Sequence, residues 1–186
     1  MADVHSEYGI IEYFIDFMGA EIPVANAVAY GTSAGGCNYY LGDFRVVGDL
    51  GETDTGIVGL AKSGGYARIS GNDEDGKGAA VATETIFSPA LNGPLVFETR
   101  VERAVITAGV VFAGFCGTIA DDVAEPVTST GTTHTLVAAN LCGFLLDSQL
   151  TATATWHAVY NGGATTGATD STTTTTGIVA VAAESD

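Results

Sequence analysis

From Leu95 the chain alternates: Leu95, Phe97, Thr99 and Val101 fall on one side, and Glu98, Arg100 and Glu102 on the other. A period of two predicts a strand with one buried and one wet face. The next run, Val110 to Cys116, is apolar on both sides and β-branched or aromatic where it is not small. It predicts a strand covered on both faces, by a second sheet or by a neighbouring subunit. The residues between, including Thr107, Ala108 and Gly109, predict a turn that brings these two strands together as an antiparallel pair.

The same reading extends along the chain. Ile11, Tyr13, Ile15 and Phe17 share one side of a segment whose other side carries Glu12 and Asp16, and aromatic and β-branched enrichment favours strand over helix. Residues 20–42, with Gly31, Ser33, Gly35 and Gly36 ahead of Tyr39, Tyr40 and Leu41, read as a long surface loop feeding a short strand, or as a segment lying against a partner. Short strands follow at Phe44–Val47, Ile57–Ala61 and Gly64–Ser70, then at Thr132–Val137, Leu141–Asp147 and Thr151–Tyr160. The Gly- and Thr-rich residues 161–177 read as a loop or arm, and Ile178–Ala183 as a last strand. Closely spaced strands punctuated by Gly and Pro, with no amphipathic helix, predict an all-β fold: an antiparallel two-sheet β-sandwich, or jelly roll. The expected organisation is an N-terminal arm and loop over residues 1–40 that makes partner contacts, followed by a sandwich domain over 41–186.

Composition narrows the function. A chain of 186 residues suits one domain. Although 46% of its residues are hydrophobic, no run reaches the ~18 apolar residues of a membrane helix. The acidic start, Met1 to Glu7, lacks the basic and apolar regions of a signal peptide, so synthesis in a cytoplasm is expected. Six basic against 22 acidic residues give a formal charge of −16, which repels nucleic-acid backbones and anionic lipid. Cys37, Cys116 and Cys142 show no metal-ligand spacing, and an odd count argues against a disulfide framework.

Candidate chemistry is sparse. Asp73-Glu74-Asp75-Gly76 matches part of a calcium loop, with Asp73 and Asp75 as the candidate ligands, but the bidentate Glu at the far end is missing and a solvated turn is the plainer reading. His5, His134 and His157 are far apart in sequence. Ser33 lacks the G-x-S-x-G elbow, no pair of carboxylates stands out for glycoside hydrolysis, and Gly35-Gly36 precedes neither helix nor Lys. The expectation is a protein with no catalytic residue and no cofactor. Trp156, His157, Tyr160 and Asn161 form the one alternative site, because aromatic faces stack on sugar rings while imidazole and amide groups supply hydrogen bonds.

The run Leu91-Asn92-Gly93-Pro94-Leu95-Val96-Phe97-Glu98-Thr99-Arg100-Val101, then Val111 to Gly117, then Leu141 to Asp147 with Trp156 downstream, resembles the concanavalin-like (laminin-G-like) jelly-roll proteins of tailed phages. The resemblance spans roughly residues 8–183 and is more specific for fold than for function. It implies a capsid decoration, or cement, protein that sits as a homotrimer on the outer surface of a phage head, bound to the major capsid shell. The partner contacts are then expected from Tyr8, Ile11, Tyr13, Phe14, Phe17, Tyr39 and Tyr40. A lectin-like module of a phage particle, using the Trp156 group, is the alternative. Members of that family continue past the equivalent of Ala183 with a tryptophan-bearing strand and a hairpin, so a neighbouring subunit supplying the edge, or a reduced fold, is expected here.

Overall fold

Thirteen short segments rich in β-branched, aromatic and small residues become strands in the computed structural model. It describes residues 3–7, 10–18, 39–48, 56–60, 63–70, 78–83, 87–88, 93–103, 105–106, 108–118, 126–130, 133–150, 155–162 and 175–179, to which the structural statements below refer. Every described ladder is antiparallel and no described residue is helical, in agreement with the all-β class and consistent with a β-sandwich. The chain divides into two compact units, Met1–Ile86 with Ile119–Glu125, and Phe87–Thr118 with Pro126–Asp186.

The described strands of the first unit form three small sheets. Strands β1 (Asp3–Glu7) and β2 (Ile10–Phe14) form a hairpin. β3 (Tyr39–Leu41), β4 (Phe44–Gly48) and β7 (Ala79–Ala82) form a three-stranded sheet in the order β3-β4-β7, and β5 (Gly56–Leu60) pairs with β6 (Tyr66–Ser70). Gly42, at φ 60°, is the first central residue of the two-residue loop joining β3 to β4, where a type II′ turn needs a positive φ. Buried Leu41, Val46 and Ile57 form the core, flanked by Ile15, Phe17, Phe44, Ala67, Ala79 and Val81. Gly65 is fixed by space as well as by its φ of 68°, since a Cβ there would overlap the Asp16 carbonyl oxygen.

The second unit contains a four-stranded sheet in the order β13-β12-β11-β8, comprising β8 (Val110–Cys116), β11 (Leu141–Asp147), β12 (Thr155–Asn161) and β13 (Thr175–Val179). A separate hairpin joins β9 (Val127–Thr130) to β10 (Thr133–Leu136). One face of the sheet buries Leu141, Leu145 and Val159 with Val127 and Ala138, and Val110, Phe112, Cys116 and Leu136 pack around them. β8 and β11 pair over seven residues, with Gly114 opposite Gly143 one pair from the centre. A Cβ on Gly143 would stand 2.5 Å from the Ala113 oxygen and 3.0 Å from the Phe112 ring, so the Phe112 ring occupies the space that a side chain would need.

Three expectations are corrected. Leu95–Val101 does not form a ladder with Val110–Cys116: β8 takes β11 as its partner, and residues 93–102 run with neither ladder, turn nor bend. The contact of this segment with β8 is made by side chains, Phe97 meeting Phe115 edge-on at 5.9 Å between ring centroids. Its expected buried side is exposed at Phe97, Thr99 and Val101. The last strand starts at Thr175, inside the threonine-rich tract, rather than at Ile178, because threonine's β-branching suits a strand as well as isoleucine's. β1, β7 and β9 were not foreseen from the pattern, Asp3–Glu7 being mostly polar, Ala79–Ala82 too uniformly small, and Val127–Thr130 having only one large apolar residue.

Candidate protein-docking surface

Strand register sorts the side chains of the four-stranded sheet onto two faces. Directly opposed residues share a face, so the pairs Cys142 with Tyr160 and Phe115, and Phe144 with Ala158 and Ala113, lie together on the face opposite the buried cluster. Alternation adds Trp156 on β12, and Val111 and Leu146 on β8 and β11, to that same face, although Leu146 is buried there and the open part of the face lies toward Cys142 and Phe144. The described positions of β8, β11 and β12 on this outer face carry no charged side chain. Phe144 remains 46% exposed and Tyr160 45%, Cys142 is exposed as a free thiol, and Phe115, Ala158 and Trp156 are half-buried. An aromatic, charge-free strip of this kind is what the centre of a protein–protein contact looks like.

Polar groups gather at one end of the opposite face. Asp147, fully buried at the end of β11, accepts a hydrogen bond from the Gln149 amide at its Oδ1 (2.8 Å), and its backbone oxygen accepts one from Leu150 N–H (3.4 Å). Its Oδ2 meets no hydrogen-bond partner among the described residues. Next to this turn, Ser148 N–H donates to the Gly109 oxygen. Arg103 holds the loop leading into β8, its guanidinium donating to the backbone oxygens of Val105 and Ala108, and partial burial pushes its pKa below the usual value. At the other end of the sheet, Gly117 N–H donates to the Asn140 oxygen, and Asn161 Nδ2 donates to the Ala138 oxygen across 23 residues of sequence. These bonds fix the ends of β8, β11 and β12, and thereby the spacing of the aromatic side chains between them.

The four residues of the sugar-binding alternative are divided by this alternation. Trp156 and Tyr160 lie on the outer face with Phe144, whereas His157, 6% exposed, belongs to the buried face, and Asn161 uses its amide to bind backbone. Of the expected partner-contact residues, Phe14 and Tyr40 are exposed, Tyr13 is half-buried, and Phe17, at a positive φ of 55°, packs against the Leu41 core. Ile11 lies on β2 and Tyr39 on β3; their side chains, like Tyr8, Asp73 and Asp75, fall outside what is described. No group of three or more His, Cys, Asp or Glu able to hold a metal is found among the described residues, nor any helix long and apolar enough to cross a membrane.

The outer-face residues Phe115, Cys142 and Phe144 had not been singled out from the sequence. Their signal was the alternation within Leu141–Asp147, where Leu141, Leu145 and Asp147 turn inward and Cys142 and Phe144 outward, hidden because both sides are apolar. No protein-family model, no curated protein and no solved structure matches this chain.

Proposed function

We propose that the chain is a structural protein that decorates and cements the outer face of a phage head, binding the major capsid shell as a homotrimer through exposed apolar β surfaces, on a two-sheet jelly-roll frame. The observation that carries this reading is the charge-free aromatic strip of Phe144, Tyr160 and Cys142 on a chain of formal charge −16. Binding to protein through apolar contacts needs such a strip, and catalysis does not. The net charge supports the outside of a DNA-filled head over its inside, because dense phosphate repels a polyanion. The resemblance to concanavalin-like phage proteins supplies the partner, a capsid shell.

Heads assembled without the protein and then incubated with it provide the test. The wild-type chain is expected to co-sediment with them and to raise their resistance to heat and osmotic shock, and Phe144→Ser with Tyr160→Ser to weaken that binding about tenfold or more, the scale of a lost contact centre. Heads that are equally resistant with and without the chain would sink the reading.

The shared face of Trp156, Tyr160 and Phe144 also supports a second reading, a carbohydrate-binding module of a phage particle. Here the aromatic rings act as stacking platforms. Binding on a glycan array that Trp156→Ala abolishes, with no co-sedimentation, favours this reading over the cement role.

A further inference from the structure

β8 is the end strand of the four-stranded sheet: Val110–Cys116 pairs with β11 on one side, and among the described residues no backbone bond reaches its other side. The bonds just beyond its two ends show which groups are left over. Gly117 N–H donates to the Asn140 oxygen and Ser148 N–H to the Gly109 oxygen, continuing the β8–β11 ladder, so the odd-numbered residues of β8 bond to β11. The N–H and C=O groups of Val110, Phe112, Gly114 and Cys116 therefore point to the free edge. Natural sheet edges are protected by charge, by Pro or by being short. β8 has none of these: it is seven residues long, contains no Pro, and lies within an uncharged run from Ala104 to Ala120.

We infer that β8 pairs antiparallel with β8 of a second copy, about a two-fold axis at Ala113, joining the two four-stranded sheets into one. In that register Val110 stands opposite the partner's Cys116 and Phe112 opposite the partner's Gly114. These are the residues whose backbone groups are free, so each such pair exchanges both bonds along the full length of the strand. Phe112 meets a residue without a side chain, on the face where its ring already occupies the space over Gly143. Ala113 meets the partner's Ala113 as a non-hydrogen-bonded pair, where Cα atoms approach to about 4.5 Å and only a methyl group stands on each side. On the same face Val111 lies opposite the partner's Phe115, a β-branched residue against an aromatic one. Moving the axis to Phe112 or to Gly114 shortens the ladder. A second copy also suits the electrostatics, since two chains of formal charge −16 repel wherever carboxylates meet, and neither β8 carries one. This contact does not depend on the capsid reading, and being two-fold it is separate from a three-fold one.

Variants of the full chain test it. In a background with Cys37, Cys116 and Cys142 replaced by Ala, Ala113→Cys is expected to give a disulfide-linked pair under mild oxidation, because Cα atoms about 4.5 Å apart lie within disulfide reach. Phe144→Cys, opposite Ala113 on β11, is expected to stay unlinked, since three strand spacings put it about 14 Å from its counterpart. Linkage at neither position, or at 144 alone, would overturn the pairing. Ala113→Glu and Ala113→Lys each place like charges face to face on the axis, and by analytical ultracentrifugation each alone is expected to weaken pairing about tenfold or more. An equimolar mixture of the two variants sets opposite charges on the axis and is expected to restore one-to-one pairs. A mixture that pairs no better than its components would contradict an axis at Ala113. Position 113 faces away from the buried cluster, so the circular dichroism of each variant is expected to match that of the wild type. Pairing of the wild-type chain is expected to tighten as salt rises toward about 0.15 M, which screens the carboxylates elsewhere on the two copies. Loosening with salt would mean that ion pairs hold the copies together, and would rule out an uncharged edge as the contact.

Discussion

The two compact units differ in how their strands find partners. In the first, β1 pairs with β2, β3 with β4 and β5 with β6, each a neighbour in sequence, β4 alone reaches past the β5–β6 hairpin to pair with β7 over four residues, and the ladders are three to five residues long. In the second, β8 reaches past the β9–β10 hairpin to β11 and pairs over seven residues, and β11 continues into β12. Local hairpins close cheaply but bury little, whereas the longer pairing costs more loop entropy and is offset by a larger shared core. The lesson is that the second unit depends on the glycines where its longest ladder, β8–β11, comes together, whereas the tightest position of the first, Gly65 against the Asp16 carbonyl oxygen, lies outside its ladders. Trp156, the single tryptophan, lies on β12 and so reports on the second unit alone.

The largest break in that contrast is expected from Gly143→Val. Its Cβ would sit 2.5 Å from the Ala113 oxygen and 3.0 Å from the Phe112 ring, so β8 and β11 must separate. A loss of at least about 3 kcal/mol is expected, seen as a Trp156 fluorescence transition at much lower denaturant. Next come Leu145→Ala and Leu41→Ala, each emptying a fully buried site at about 3 kcal/mol. The first is expected to shift the Trp156 transition, and the second to shift the far-ultraviolet circular dichroism transition ahead of it. Coincident shifts in both signals for both variants would show that the units unfold as one.

Smaller effects sharpen the picture. Arg103→Ala removes the guanidinium bonds to the Val105 and Ala108 oxygens at a half-exposed site, and about 1 kcal/mol is expected from chemical denaturation followed by Trp156. Val96→Ser is expected to change stability by less than about 0.5 kcal/mol, since Val96 has almost no neighbours to lose. A large effect there would mean that the segment is packed.

Much of the fold was legible from period-two patterning. Ile57–Ala61, Gly64–Ser70 and Leu141–Asp147 appear within about a residue or two as β5, β6 and β11, because each combines β-branched, aromatic or large apolar residues with turn-forming residues at a boundary, Gly56, Gly65, and Asn140 with Ser148. Partner choice was not legible. The clear alternation of Leu95–Val101 suggested pairing with the next strand, but alternation records only that a segment suits a two-faced environment, not which strand provides it. The decisive feature for β8 was the Gly114–Gly143 match, 29 residues apart, which acquires meaning only once the two strands are side by side. The docking face was hidden for a related reason: β8 and β11 are apolar on both sides, so no polar residue marked Phe144 and Cys142 as outward.

Residue-resolved amide hydrogen exchange tests the central claim that a firmly paired sheet is flanked in sequence by a segment, Leu95–Thr99, that joins no ladder. The account predicts the slowest exchange in Leu141–Leu145, which is paired on both edges, and fast exchange throughout Leu95–Thr99. Protection of Leu95–Thr99 equal to that of Leu141–Leu145 would contradict it, because those amides would then be held in hydrogen bonds as firm as the ladder's.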